Sequence, residues 1–178
     1  MSSPSSFRHT FEPLGDHDRA EFSCGTVELD YYLLQQANQD AKRKVAAPFV
    51  MVDSAGRVVG YYTLSAYGIR IGELPPEFAK KLPKYPLLPA TLLGRLAVSK
   101  AHQGQKLGQV LLMDALDRSW RNSKEVASIG VVAEAIDETA REFYLHHEFV
   151  PLLEHPRKLF IAMKTIQRAL GGTERWPA

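Results

Sequence analysis

The sequence predicts an α+β protein built as one domain around one sheet, and three observations carry that reading. A length of 178 residues suits one domain or two very small ones. An apolar fraction of 45% against 24% charged residues supports a sizeable core and excludes disordered and fibrous chains. Stretches with the two-residue period of strands alternate irregularly with stretches of helical period, without repeats or low-complexity segments. The domain is expected over residues 7–170, with short tails at 1–6 and 171–178.

A first short strand is expected around Phe7–Leu14. The Ser-Cys-Gly-Thr turn at 23–26 then leads into a helix over Val27–Lys44. Thr26 suits the N-cap, Glu28 and Asp30 the positive end of the helix dipole, and Lys42, Arg43 and Lys44 its negative end. Leu29, Leu33, Ala37 and Ala41 supply the inward stripe. Pro48–Val52 and Val58–Ser65, joined by Asp53-Ser54-Ala55-Gly56, read as a β-hairpin. The five prolines between Gly72 and Pro89 surround a helical turn at 77–81, an insertion too apolar to float as a linker. Next come a strand over Thr91–Val98, a glycine-bearing loop, and a helix over Leu107–Trp120. A strand over Ala127–Ala133, a helix over Asp137–His147 capped by Asp137, and a strand over Lys158–Ile166 complete the chain.

Several classes are set aside by composition. The longest apolar run, Val45–Val52, is far shorter than the roughly 18–20 residues that span a bilayer, and it contains Pro48. The N-terminal MSSPSSFRHT lacks the apolar stretch of a secretory signal, so a cytoplasmic location is expected. Cys24 is the one cysteine, which excludes an intrachain disulfide, and no cysteine/histidine spacing suggests zinc. His146 and His147 are helix neighbours pointing about 100° apart, a poor arrangement for one metal, so no metal is expected.

The chemistry concentrates in His102-Gln103-Gly104-Gln105-Lys106-Leu107-Gly108, between a strand and a helix. A glycine-bearing loop at a helix N-terminus aims unpaired N–H groups and the positive dipole end at one point, an anion cradle. Two glycines four apart are a weak signal alone. With LLGRLAV before it, QGQKLGQVLLMDAL through it and ETAREFYLHHEF after it, the chain resembles the GCN5-related N-acetyltransferase family. FSCGTVELD at 22–30, GYYTLS at 60–65 and KLFIAM at 158–163 extend the resemblance to the toxin branch of toxin–antitoxin systems.

That resemblance implies a mostly antiparallel, twisted sheet flanked by helices, and acetyl-CoA as the acetyl donor. Gln103, Gly104, Gln105, Lys106, Leu107 and Gly108 match the family's pyrophosphate loop, except that Lys106 stands at its central glycine. A left-handed backbone there costs a non-glycine residue about 1–2 kcal/mol, whereas an outward-pointing ammonium could help hold phosphate. A loop with weakened cofactor grip is the bland alternative. Leu96, Ala97 and Val98 match the strand whose backbone meets the pantetheine arm and acetyl carbonyl. Tyr144 matches the tyrosine that returns a proton to the departing thiolate. A second departure is Glu148, where the family commonly has a glycine that suits a left-handed helix C-cap.

The acceptor implied by the toxin branch is the α-amine of aminoacyl-tRNA. Physical chemistry agrees, because an α-amine of pKa about 7.7–8.0 is available in its neutral form near pH 7 without a strong base, whereas a lysine amine is almost wholly protonated. Lys42, Arg43, Lys44, Lys80, Lys81, Lys84, Arg95, Arg157 and Lys158 are the candidate RNA contacts, although the net charge of only +2 leaves solvated faces as the bland reading. Arg95 divides evenly between an ion pair and a substrate contact. A small amine or a protein N-terminus is the rival acceptor. A ribbon-helix-helix antitoxin and a homodimer are implied by the resemblance alone.

Overall fold

The computed structural model describes residues 9–171, so the expected tail at 1–6, and 171–178 except for Gly171, lie outside the described residues. The elements run β1 (Thr10–Pro13), α1 (Val27–Tyr31), a π-helical segment (Tyr32–Gln36), α2 (Ala37–Lys42), β2 (Ala47–Val52) and β3 (Val58–Arg70). A 3-10 turn at Ile71–Glu73 precedes α3 (Pro76–Ala79) and β4 (Leu87–Val98), and another at Lys100–His102 precedes α4 (Leu107–Asn122). Then follow β5 (Gly130–Glu134), α5 (Glu138–His146), β6 (Val150–Leu152), β7 (His155–Ala162) and α6 (Met163–Ala169). The strand order is β1-β2-β3-β4-β5-β7-β6. β4 and β5 are parallel, while β1/β2, β5/β7 and β6/β7 are antiparallel, which makes the α+β class explicit.

Two compact units divide the chain: residues up to Thr63 with Arg95–Asp114, and Leu64–Gly94 with the residues from Ala115 onward. In the first, the β2–β3 hairpin turns where Asp53 Oδ1 accepts from the N–H groups of Ala55 (2.9 Å) and Arg57 (3.0 Å). Those bonds lower the Asp53 pKa, the Arg57 N–H first among them. Phe22, Tyr32, Leu33, Val50, Val58 and Tyr61 form its core. Gly60 on β3 has a packing reason, since a Cβ there would lie 2.7 Å from Leu111 Cδ1 of α4 and 3.1 Å from the Ala97 carbonyl oxygen.

The expected long helix exists as three consecutive helical segments. A period of 3.6 places Leu33 and Ala37 inside, and both are fully buried. The π segment turns Tyr32 inward as well, and its hydroxyl donates to Asp40 Oδ2 (2.9 Å) while that of Tyr61 donates to the Leu29 carbonyl (2.7 Å). Thr26 occupies the N-cap without a side-chain bond. Instead Asp30 accepts from the Cys24 N–H (2.8 Å) and the Ser23 hydroxyl (3.3 Å), closing the turn before the helix. The helix stops at Lys42 because Lys44 adopts φ 61°, with Lys44 N–H donating to Ala41 and Val45 N–H to Asp40.

In the second unit the proline-rich insertion is ordered. Phe78, Ala79 and Leu82 pack on the cluster of Ile69, Leu74, Leu88, Val132 and Phe160, with Phe78 edge-on to Phe160 at 5.7 Å. Asp137 caps α5 as expected, accepting from the Ala140 N–H at 2.8 Å. Several expected boundaries are corrected. The first strand begins at Thr10, the Phe7–Arg8 part of its expected span lying outside the described residues; β4 begins at Leu87 rather than Thr91, and β5 at Gly130 rather than Ala127. The last strand occupies His155–Ala162, earlier than Lys158–Ile166, because residues from Met163 coil into α6 with Ile166 as its buried anchor. β6, a three-residue strand, was not expected at all.

Candidate active site

Gln103–Lys106 bridge the 3-10 turn after β4 and the first turn of α4. Gln103 is extended, and its side-chain amide donates to the carbonyls of Cys24 (2.9 Å) and Val98 (3.0 Å), which ties the loop to the strand end and to the 23–26 turn. Gly104 has φ +82°, and a Cβ there would meet nothing within 4 Å, so backbone conformation rather than crowding requires glycine. Lys106 also lies in the left-handed region, φ 59°, with its side chain exposed. The N–H groups of Gly104, Gln105 and Lys106 find no backbone acceptor among the described residues. Buried Leu107 anchors the first turn of the sixteen-residue α4 directly behind them, so the open donors and the dipole end coincide.

The strand before this loop carries the next candidates. β4 pairs with β5 only over Thr91–Leu93, and it runs on to Val98. The backbone of Leu96–Val98 therefore has no β5 partner, and because N–H groups alternate edges along a strand, part of it keeps open donors. Ala97 is buried, while Leu96 and Val98 are half-buried. Arg95 makes no ion pair among the described residues. Its guanidinium carbon lies 3.5 Å over the centre of the Tyr32 ring. Tyr32 is held in turn by Asp40, whose other oxygen accepts from Gln36 Nε2 (3.1 Å). Burial and the Asp40 bond push the Tyr32 phenol up to about 12, with Arg95 opposing them. Tyr32, Gln36 and Asp40 escaped the sequence reading, because a π segment leaves no mark on a 3.6-residue period.

Tyr144 is fixed by the end of α5. Glu148 takes φ 68°, the Glu148 N–H donates to Leu145 and the Phe149 N–H to the Tyr144 carbonyl, a Schellman closure. The ring of Phe149 then packs 5.2 Å from that of Tyr144, and that of Phe143 lies 5.4 Å from it. Tyr144 is 4% exposed, and burial drives its phenol pKa upward, so it stays protonated far into the alkaline range. Its hydroxyl has no hydrogen-bond partner among the described residues. His147 has a helix-end role, its Nδ1 lying 2.8 Å from the Phe143 carbonyl, and His146 is exposed on the last turn.

The remaining candidates divide between the units. Lys42, Arg43 and Lys44 are exposed at the end of α2 in the first, and Lys80, Lys81 and Lys84 are exposed around α3 in the second. Arg157 donates to the Ile136 carbonyl (3.1 Å) and Lys158 to the Tyr67 hydroxyl (3.2 Å), with Glu134 at 3.7 Å, so both serve local structure. The Tyr67 bond chiefly raises the Lys158 pKa. Cys24 is a poor nucleophile: burial, followed by Asp30, lifts its thiol to about 11. Among the described residues no group of three or more His, Cys, Asp or Glu side chains is placed to hold a metal, and no helix is long and apolar enough to cross a membrane.

The sequence profile of the acetyltransferase (GNAT) domain matches residues 46–151. A tRNA-acetylating toxin of Mycobacterium tuberculosis is 31% identical over 154 residues, covering 86% of this chain and 91% of its own. Among solved structures, the toxin AtaT complexed with acetyl-methionyl-tRNAfMet superposes with a TM-score of 0.85 at 31% identity, over 91% of this chain and 99% of that one. A variant of AtaT bound to the C-terminus of the antitoxin AtaR and acetyl-CoA gives 0.79 at 27% identity, over 92% and 98%.

Proposed function

Since the chain belongs to the GNAT acetyltransferase family, we propose that it transfers the acetyl group of acetyl-CoA to the α-amino group of aminoacyl-tRNA and acts as a toxin that stops translation. An acetylated α-nitrogen is an amide whose lone pair is delocalised, so the modified aminoacyl-tRNA can no longer extend a peptide. The observation that carries the reading is the loop at 103–108: three open amides, two left-handed residues and a helix N-terminus form a cradle for a diphosphate. The donor set fits that group, since all of it is backbone N–H or cation.

Acetyl-CoA, when bound, supplies the thioester carbonyl that the amine attacks. Gln103 holds the loop in shape, the N–H groups of Gly104, Gln105 and Lys106 with those of Leu107 and Gly108 meet phosphate oxygens, and the Lys106 ammonium adds charge. Strand amides of Leu96–Val98 stabilise negative charge developing on a carbonyl oxygen, an effect that is large because the dipoles are already oriented. Tyr144 is the proton donor to the leaving sulfur, since burial keeps its hydroxyl protonated and no internal acceptor competes for its proton. The α-amine needs no strong base at neutral pH.

Lys42, Arg43, Lys44, Lys80, Lys81 and Lys84 are the exposed cations available to RNA phosphates. A ribbon-helix-helix antitoxin, a homodimeric state and a cytoplasmic location complete the reading, of which the AtaT complex with the C-terminus of an antitoxin supports the antitoxin partner. The test is incubation of the purified protein with radiolabelled acetyl-CoA and a pool of charged tRNAs. Label in the aminoacyl fraction, released on mild alkaline hydrolysis of the ester, is the expected result; label confined to small amines or protein N-termini overturns the substrate, and no transfer overturns the activity.

A further inference from the structure

Arg95 is a half-buried cation on β4 that the fold supports and leaves without a counter-ion. Among the described residues its guanidinium makes no salt bridge or hydrogen bond; its contact is the face of Tyr32 at 3.5 Å. The carboxylates bordering the Tyr32 and Tyr61 rings are committed elsewhere. Asp40 accepts from the Tyr32 hydroxyl and Gln36, and Asp30 from the Cys24 N–H and Ser23 hydroxyl. Partial desolvation of a cation is costly without a partner, and a ring face compensates only part of it. Stacking covers the flat face of a guanidinium and leaves its edge, where the N–H groups point, free to form a two-pronged bond with a phosphate. The π segment is what places Tyr32 under Arg95, and such segments are frequent where a helix has been adapted to a ligand.

Resting on the proposed aminoacyl-tRNA acetylation, we propose that Arg95 anchors a phosphodiester of the RNA's 3′-terminal segment and thereby sets the distance between the RNA backbone and the reacting amine. Strand geometry gives the scale: Arg95 lies three residues, about 10 Å, from Val98, so one end of the segment Arg95–Val98 holds phosphate while the other offers amides to the carbonyl. The charge of Arg95 is shared with no protein carboxylate, so it is available in full to the ligand.

The experiment compares wild type with Arg95→Gln and Arg95→Lys. Fluorescence anisotropy follows binding of an uncharged tRNA acceptor-stem hairpin at several salt concentrations. Acetylation kinetics use charged tRNA and, in parallel, an aminoacyl-adenosine that carries no phosphate. Arg95→Gln is expected to weaken hairpin binding and raise KM for charged tRNA by about 10–100-fold. The log–log salt slope should fall by about one, with kcat and the parameters for aminoacyl-adenosine unchanged. Calorimetric affinity for acetyl-CoA should not move, and Arg95→Lys should fall between the two. Equal losses on both acceptors, or unchanged hairpin binding, overturn the proposal. So does a variant that keeps hairpin binding but loses inhibition by an antitoxin C-terminal peptide, which would assign Arg95 to the protein partner. Should Arg95→Gln fail to fold, the lysine variant decides by the same split between acceptors. If wild type binds the hairpin normally yet acetylates no charged tRNA, the functional reading fails while the anchor is still measured.

Discussion

Among the charged residues that take the backbone conformation favouring glycine, Glu148 and Lys106 resolve the strain differently. At the end of α5, Glu148 at φ 68° is offset internally by the Schellman hydrogen bonds and by Phe149 packing on Tyr144. In the loop before α4, Lys106 at φ 59° aligns amides that no backbone acceptor among the described residues uses. Strain at the helix end therefore belongs to the fold and orients Tyr144. Strain in the loop presents donors outward, where the proposed function has a ligand offset it.

The contrast is broken most forcefully at Tyr144. Tyr144→Phe should leave α5, its closure and acetyl-CoA affinity intact, because the hydroxyl makes no internal bond, while transfer falls by about 10²–10⁴-fold in steady-state assays. Wild-type turnover in that variant removes the proton-donor role. The pH profile sharpens the same point: activity should rise as the acceptor α-amine deprotonates, through about 7.7–8.0, and then hold past the ordinary phenol value of 10.0, since burial moves Tyr144 above it. A fall in rate between pH 8 and 9.5 would contradict that direction.

In the loop, Gly104→Ala places a side chain at φ +82°, and the exposed segment escapes the roughly 1–2 kcal/mol cost by adopting another conformation. Calorimetric affinity for acetyl-CoA should then fall by about 5–30-fold. Lys106→Gly has a smaller expected effect. Because left-handed Lys106 is already present without ligand, glycine relieves bound and unbound protein alike, and affinity reports the lost ammonium: binding weakens a few-fold at low salt and converges with wild type at high salt. Tighter binding would mean that the unbound loop leaves this conformation. Smallest of all, Glu148→Gly should stabilise the fold by about 1 kcal/mol or less in thermal unfolding, relief of strain minus the entropy of a glycine in the unfolded chain, with kcat unchanged.

Much of the local structure around the candidate residues is written in short-range signals and was legible. Asp137 three residues before Ala140, the basic end of α2, and Gln103 and Gly104 ahead of a helical period are short-range signals, and each produced the expected element. What escaped depends on contacts distant in sequence. The apolar run from Leu159 to Met163 suits strand or helix equally, and pairing of Gly130 with Ala162 decides where the strand ends. Pro86 and Pro89 hid the first residues of β4, since proline argues against a strand interior. The alternation along β4 placed Arg95 opposite Leu96 but could not show that a π segment far upstream brings Tyr32 beneath it. The left-handed backbone of Lys106 was likewise undecidable, because lysine in a loop carries no conformational signature of its own.

The difference between the two strained residues is tested most directly by amide hydrogen exchange with and without saturating acetyl-CoA, resolved to single residues by NMR. The account predicts that Gly104, Gln105 and Lys106 exchange fast in the protein alone and are strongly slowed by the cofactor, while Glu148 and Phe149 are protected in both states by the bonds closing α5. Unchanged exchange at 104–106 under saturation would contradict it, by showing that these amides do not receive the phosphates.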